Sequence, residues 1–459
     1  MATLTDTPDT SLCSDDAESR ATTSSGHGPK LAWPLLAAIT FLSGLGMTIV
    51  LPVLPFITLQ FVSEQMLGWW VGVLEAVYAA CAFLVAPLLG RLSDRFGRRP
   101  VLVYSVLVAA VGYVMFGLAG SLFTLVVARI IQGFAAGDMP ALFAYVADIT
   151  KAKDRAKRYG LLGALSGVAM MVGPGLGGLL ARISLSAPVF ATAGLSVLVG
   201  VLALVVLPES LAPENRATGI ALRELNPLSA IRKAFARPSL RPLLVGAVLV
   251  MIPFIFFATN SPVLAFDIVG WGPTEVGVLL TVIGVLDIAV QGGLLVVLLP
   301  RIGERGVIIA GIAAQAVGCL GLAIAASLLH WPWLLACGFV VLAAGEGGMN
   351  AALQGVMSSR VGADEQGWLA GSFSSLSSAI QVAAPLLAGL LYASLAHSAP
   401  YWLGFVLILA SACVLRKAIE PVANRPKTLA HQMQDPDQLE TTLTRGLPEV
   451  NGSLPRSCV

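Results

Sequence analysis

Charge is what this sequence has least of. Only 12% of its 459 residues are Asp, Glu, Lys or Arg, about half of the roughly 25% found in soluble domains. So little charge excludes a nucleic-acid binder, a disordered chain and a soluble enzyme of two or three domains. Histidine is scarce: His27 and His431 lie in the polar ends, and His330 and His397 flank apolar runs without entering them. The six cysteines are scattered, with no CxxC pair and no metal-ligand spacing, so neither a disulfide framework nor a metal site is expected. A P-loop and an HExxH pair are missing too. No catalytic residue and no cofactor are expected. Residues 1–30 lack the basic and apolar regions of a cleavable signal and read as a disordered tail.

What the chain has in abundance is apolar sequence, 56% of its residues, with a mean hydropathy of +0.83. A helix of about 20 apolar residues crosses a bilayer. By that measure the chain is an all-α integral membrane protein with twelve spans, at 31–56, 68–89, 101–120, 122–146, 160–181, 187–208, 242–266, 275–299, 307–329, 332–357, 368–393 and 400–415. All eight tryptophans fall near span ends, the level that indole rings prefer.

The scarce positive charges set the topology. Of 28 Lys and Arg, 26 lie in the tails and in loops 90–100, 147–159, 209–241, 300–306 and 358–367. Arg182 alone occupies an alternate loop, and Arg129 lies inside a span. The positive-inside rule then places both termini in the cytosol, with the multi-pass body expected in the plasma membrane. The organisation read from this is a tail (1–30), a six-helix bundle (31–208), a central loop (209–241), a second six-helix bundle (242–415) and a cytosolic tail (416–459). Within the central loop, Leu228, Ile231 and Phe235 share a helical spacing beside Arg232, Lys233 and Arg237. That suits either an amphipathic helix on the inner leaflet or a solvated linker.

The two halves echo one another at a constant offset of 211 residues. Gly137 matches Gly348, Asp154 matches Glu365, Gly160 matches Gly371, Pro174 matches Pro385, and Gly178-Leu179-Leu180 matches Gly389-Leu390-Leu391. A duplicated six-helix unit is the architecture of transporters that alternate access between two halves.

Four motifs carry further information. Gly90-Arg91-Leu92-Ser93-Asp94-Arg95-Phe96-Gly97-Arg98-Arg99-Pro100 joins spans two and three, and Arg301-Ile302-Gly303-Glu304-Arg305-Gly306 echoes it in the second half. Span one holds Gly44-Leu45-Gly46 and Pro52-Val53-Leu54-Pro55, and span four holds Arg129-Ile130-Ile131-Gln132-Gly133. Span five holds Gly160 and Gly173-Pro174-Gly175-Leu176-Gly177-Gly178. Together these resemble the major facilitator superfamily, in its twelve-span drug:proton antiporter branch. Tyr145-Val146-Ala147-Asp148-Ile149, Leu207-Pro208-Glu209-Ser210 and Gln366-Gly367-Trp368 look like the tetracycline/proton antiporters within that branch. Where those carry acids in spans one, three and nine, this chain has Ser43, Gly112 and Gln315, and Asp287 stands for their span-eight histidine. The resemblance implies that Asp94, Arg98 and Asp148 form a charge cluster at the inner face, within a gating loop that includes Gly90, Arg95, Gly97 and Arg99. It implies an antiporter helix carrying Gly160, Gly173, Pro174, Gly177 and Gly178. Read without the resemblance, the Gly163/Gly167 and Gly173/Gly177 pairs in that span let helix backbones touch.

Five ionisable residues lie well inside spans: Glu75, Arg129, Asp138, Asp287 and Glu346. Each costs a few kcal/mol at the bilayer centre, so each needs a partner, a wet cavity or a neutralising proton. At 1.5 Å per residue, Glu75 and Arg129 both lie about 10 Å below the outer end of their spans, so one ion pair is expected. Asp138 is nine residues past Arg129 and half a turn away, which ranks it lower. Asp287 and Glu346 lie near mid-membrane in spans eight and ten, as a proton carrier requires, with Asp287 favoured. The serines of span eleven, with Gln381, are too polar for lipid. Met251, Phe254, Phe257 and Asn260 in span seven would suit an apolar drug pocket. The expected activity is secondary export of a small amphipathic compound against protons by a monomer. Uptake or symport of a polar metabolite is the alternative, and a non-transporting membrane sensor a remote one.

Overall fold

A computed structural model describes residues 28–418, apart from 137, 218–226 and 363–364. The described residues form helices and no strand. Helix α1 (Gly28–Ile49) stops short of the expected end of span one, because Pro52 and Pro55 cannot continue its hydrogen-bond ladder. A tight turn and the one-turn α2 (Leu54–Thr58) follow. Next come α3 (Glu64–Phe96), α4 (Arg98–Gly117), α5 (Leu122–Ala135) and α6 (Asp138–Ile149). Span four is thus two helices, broken after Ala135. Helices α7 (Ala152–Leu180) and α8 (Ala187–Val206) complete the first half.

Beyond it, α9 (Pro227–Phe235) lies in the central loop and packs on α14 (Gln366–Ser394) through buried Ala234, with Leu228 exposed. The second half contains α10 (Arg241–Val269), α11 (Pro273–Ala289), α12 (Leu295–Ile324), α13 (Pro332–Ser358), α14 and α15 (Ala399–Ala418). Among the described residues eleven helical runs are long and apolar enough to cross a membrane. The longest, Pro273–Leu329, holds expected spans eight and nine together. Within α12 only Gly303 leaves helical geometry, at φ 68° and ψ 172°, so this one glycine makes the short turn between the two spans. Large apolar side chains such as Leu84, Phe123, Val205 and Val296 are exposed, which fits a surface solvated by lipid. The chain is a multi-pass integral membrane protein.

Among the described residues two helix pairs make most of the contact between the halves, α3 with α14 and α7 with α11. Both are made the same way at the end of the protein opposite the Gly90–Pro100 loop. A Cβ at Gly277 would lie 2.5 Å from the Pro174 carbonyl oxygen, and one at Gly178 would lie 2.6 Å from that of Pro273. In the other pair Gly72 lies against the Pro385 carbonyl, and Gly389 against that of Gly68. The hydroxyl of Thr274 donates to Gly178 O at 3.0 Å across the first crossing. Backbones so close admit only hydrogen at the contact. At the loop end the same helices stand apart: a Cβ at Gly90, Gly163, Gly167, Gly367 or Gly371, or at Gly292 or Gly293 just past α11, would meet nothing within 4 Å. The Gly163/Gly167 pair therefore makes no helix contact here, contrary to its GxxxG spacing. The body is sealed at the far end and open at the loop end.

Candidate functional site

Between the halves lies a cavity of about 600 Å³. From the first half it is lined by Met47, Tyr78, Pro87, Gly90, Tyr113, Gln132, Ala136, Met139, Pro140 and Met170, and from α14 by Ser374, Ser375, Ser378 and Gln381. The polar side of span eleven therefore faces this space. The residues chosen from span seven do not. Phe257 packs on Phe254 and Phe339, at centroid distances of 5.7 and 5.2 Å, and Asn260 is buried, donating to Ala388 O at 3.3 Å. Phe254, Phe257 and Asn260 are helix-packing residues, and aromatic core and aromatic pocket look alike in sequence.

Arg129 in α5 meets Glu75 in α3 at 2.7 Å, with side-chain exposures of 5% and 20%. Its other terminal nitrogen donates to Gln132 Oε1 at 3.2 Å, and its guanidinium stands 5.7 and 5.4 Å from the rings of Tyr78 and Phe116. A carboxylate and two ring faces spread the charge of an arginine that water does not reach. Gln132 and Tyr78 line the cavity. The ion pair sits one layer behind that wall.

In the second half Asp287 faces α13. Its carboxylate lies against Gly347, it accepts from Gln291 Nε2 at 2.8 Å, and it acts electrostatically on the neighbouring Glu346. Both acids are half-buried. A π-helical turn, Val290–Leu294, begins three residues after Asp287; such turns are frequent at functional sites. Asp138 opens α6, and its side chain lies outside the described residues.

The Gly90–Pro100 loop builds a compact charge cluster. Arg98 contacts Asp94 at 2.5 Å and Asp148 at 3.3 Å, and the Ser210 hydroxyl donates to Asp148 at 3.0 Å. Gly97 has φ 112°, a left-handed conformation that favours glycine. That lets the chain turn into α4, where Arg99 donates to the Leu204 carbonyl, while at the end of α3 Arg95 stands 5.3 Å from the Phe96 ring. All partners of the cluster belong to the first half and the segment after α8, so it ties α3, α4 and α6 to one another.

On α7 the antiporter glycines split between two neighbours. Gly173 and Gly177 lie against Thr48 and Ile49 of α1, and Gly175 and Gly178 face α11. Gly160 meets nothing. Pro174 supplies the carbonyl on which Gly277 rests.

Two groups escaped the sequence reading. Glu209 accepts from the backbone N–H of Arg98 at 2.8 Å and of Arg99 at 3.3 Å, capping α4 from 111 residues away. Its motif was visible, but its target depends on the tertiary fold. At the far end, the Tyr392 hydroxyl donates to Asp267 at 2.5 Å, and the His397 ring stacks on Tyr392 at 4.6 Å. The Tyr392 ring fills the space beside Gly68 of α3. Asp267 lies one residue beyond the expected end of span seven.

Comparison with known proteins places this architecture. A family model described as Major Facilitator Superfamily matches residues 36–381, and a second match covers 297–448. The chain belongs to that superfamily, in its drug:proton antiporter branch. It is 37% identical to the class C tetracycline resistance protein of Escherichia coli over 83% of this chain and 93% of the relative. Multidrug resistance protein 2 of Bacillus subtilis (strain 168) is 26% identical, over 83% and 93%. Among solved structures, the human organic anion transporter MFSD10 aligns with a TM-score of 0.60 at 21% identity, over 84% of this chain and 98% of that one. That likeness speaks to the fold alone.

Proposed function

We propose that this chain, a proton-coupled exporter of drug-like compounds within the superfamily, binds its substrate in the central cavity and divides the proton work between two sites inside the membrane. The observation that carries this reading is the asymmetry of the cavity, sealed at the far end by glycine-on-carbonyl crossings and open at the basic loop end. With 26 of 28 basic residues at that end or in the tails, the open side is the cytosolic one. A compound in the cytosol or inner leaflet then enters between α3 and α14. Residues 31–208 and 242–415 act as the two rocking bundles, each moving nearly as a rigid body.

In this account Asp287 and Glu346 carry the proton. One proton bound at this pair of neighbouring carboxylates removes their mutual repulsion, and losing it restores that repulsion. Glu75 and Arg129 are the link to substrate. Protonation of Glu75 releases Arg129 and changes the charge behind the cavity wall, so that proton and compound compete. The charge cluster around Arg98 biases the equilibrium between the two states, for which a few kcal/mol is enough. The protein works as a monomer in the plasma membrane with both termini cytosolic, as a transporter without a cofactor.

Tetracycline and other rigid amphiphiles are the substrates to try first, because the relatives named for tetracycline and multidrug resistance cover the transport unit. The departures at Ser43, Gly112, Gln315 and Asp287 suit a range other than theirs. Growth of a sensitive host on a panel of such compounds, with and without the gene, tests the reading. A host left equally sensitive to every compound contradicts it.

A further inference from the structure

The sealed far end holds a histidine among acids from both halves. Phe266 of α10 packs edge-on against Phe56 of α2, at a centroid distance of 5.6 Å, so this end of α10 lies on the first half. The next residue, Asp267, accepts from the Tyr392 hydroxyl, and His397 Nδ1 stands 3.9 Å from the same carboxylate oxygen. The Tyr392 and His397 rings lie almost parallel, 6° apart in plane, which holds the imidazole in place. The Asp267 side chain is 12% exposed, whereas that of His397, at 52%, is open to the far side. Tyr392 in turn closes on Gly68 of α3. An acid of the opposite half acts on this cluster. Glu64 is exposed in the first turn of α3, where the helix dipole favours negative charge, and it acts electrostatically on Asp267. Tyr401 of α15 is a further titratable neighbour of Asp267, a phenol uncharged across the physiological range.

With a neutral imidazole, carboxylates of opposite halves repel one another across the closed end. We propose that His397 is a far-side proton sensor, whose proton steadies the far-end-closed state by masking Asp267 from Glu64. Asp267, Tyr392 and His397 all belong to the second half and travel together, so only their interaction with Glu64 changes when the far end opens. The closed state therefore gains when His397 is charged, at low pH, and loses that gain as the ring gives up its proton at higher pH. This rests on the reading of the chain as a proton-coupled exporter and gives that cycle a closing step. A carrier that has opened to an acidic outside takes a proton on His397 and is drawn back toward the cytosol-facing state. His397 does not line the cavity, so it is a positioning residue.

Whole cells expressing the full chain test this, because their far end faces the medium. Thr281→Cys lies across the other crossing, opposite Gly175. Its rate of labelling by a membrane-impermeant alkylating agent reports opening of the far end. From about pH 8 to about pH 5.5, the range in which an imidazole titrates, labelling should fall further in this background than when His397→Gln is added. The ratio of the two rates cancels the thiol's own response to pH. That ratio should change about two- to fivefold, the reach of a partly exposed ion pair. With Glu64→Gln in place of the histidine change, most of the His397-dependent response should vanish. An equal response with and without His397 overturns the proposal. So does a full response in Glu64→Gln, which would assign the effect to the histidine and Asp267 alone. A chain that shows the expected responses yet moves no compound supports the sensor and defeats the exporter reading.

Discussion

Arg129 and Glu75 lie 2.7 Å apart, yet neither lines the cavity; Gln132 and Tyr78 stand between them and it. The pair is therefore both a structural bond and an electrical element of the wall. Breaking it by Glu75→Gln or Arg129→Gln leaves one buried charge without a partner, which costs about 3–5 kcal/mol. Thermal unfolding in detergent should show each single variant destabilised and the double variant recovering a good part of the loss. Arg129→Lys should not restore transport, because a lysine cannot reach Glu75 and Gln132 together with the guanidinium's fork. Double and single variants of equal stability would mean that the two groups do not interact.

The acids of the second half should behave differently. Asp287→Asn and Glu346→Gln remove charge instead of stranding it, so folding should survive. Each variant is expected to exchange labelled substrate across a vesicle membrane while failing to accumulate it under an imposed pH gradient. Accumulation by both at the wild-type level would move proton coupling elsewhere.

The crossings at the far end predict a shift of state. Gly277→Ala puts a methyl group 2.5 Å from the Pro174 carbonyl oxygen, and overpacking of that kind costs about 1–3 kcal/mol. The far-end-closed state alone bears the cost, so the equilibrium should move about 5- to 150-fold toward the far-end-open state. A cysteine placed at Thr281, which faces Gly175 across this crossing, should become much more reactive toward an alkylating agent added from the far side. Unchanged reactivity would show that the crossing does not govern access.

An ion pair at the loop end predicts a response to acid. Arg237 holds Glu365 through two hydrogen bonds, at 2.6 and 2.8 Å, and stacks on Trp368 at 4.1 Å. Those bonds keep the Glu365 carboxyl below its ordinary value. The sign follows from the depressed value: the pair stabilises above about pH 4.5, the ordinary carboxylate range, and its contribution is lost as pH falls through the lowered one. Hydrogen exchange across Pro227–Phe235 should rise on acidification below that range. In Arg237→Ala, exchange there should already be raised at neutral pH and should respond less to acid.

Much of this was legible because membranes impose simple rules. Rise per residue and span length alone set Glu75 and Arg129 at one depth, without any knowledge of helix packing. The 211-residue offset matched Pro174 to Pro385 and Gly178 to Gly389, and these four residues supply one side of each of the two crossings between the halves. What stayed hidden depended on tertiary approach. Glu209 caps a helix 111 residues distant, and no local pattern reveals that. Gly163 and Gly167 share their spacing with Gly173 and Gly177, yet the first two stand at the open end and the others at the sealed end, so spacing could not tell them apart. Asp287 and Glu346 were each visible as lone acids, but their being neighbours depends on how α11 meets α13.

The central claim is that outward movement of the compound is driven by inward movement of protons through this protein. Purified protein in sealed vesicles, with tetracycline on one side and a pH gradient across the membrane, tests it directly. The account predicts that the drug accumulates on the acidic side, that accumulation stops when an ionophore collapses the gradient, and that adding drug to a lightly buffered vesicle releases a measurable counter-flux of protons. Accumulation that survives collapse of the gradient, or drug movement with no proton flux, would contradict it.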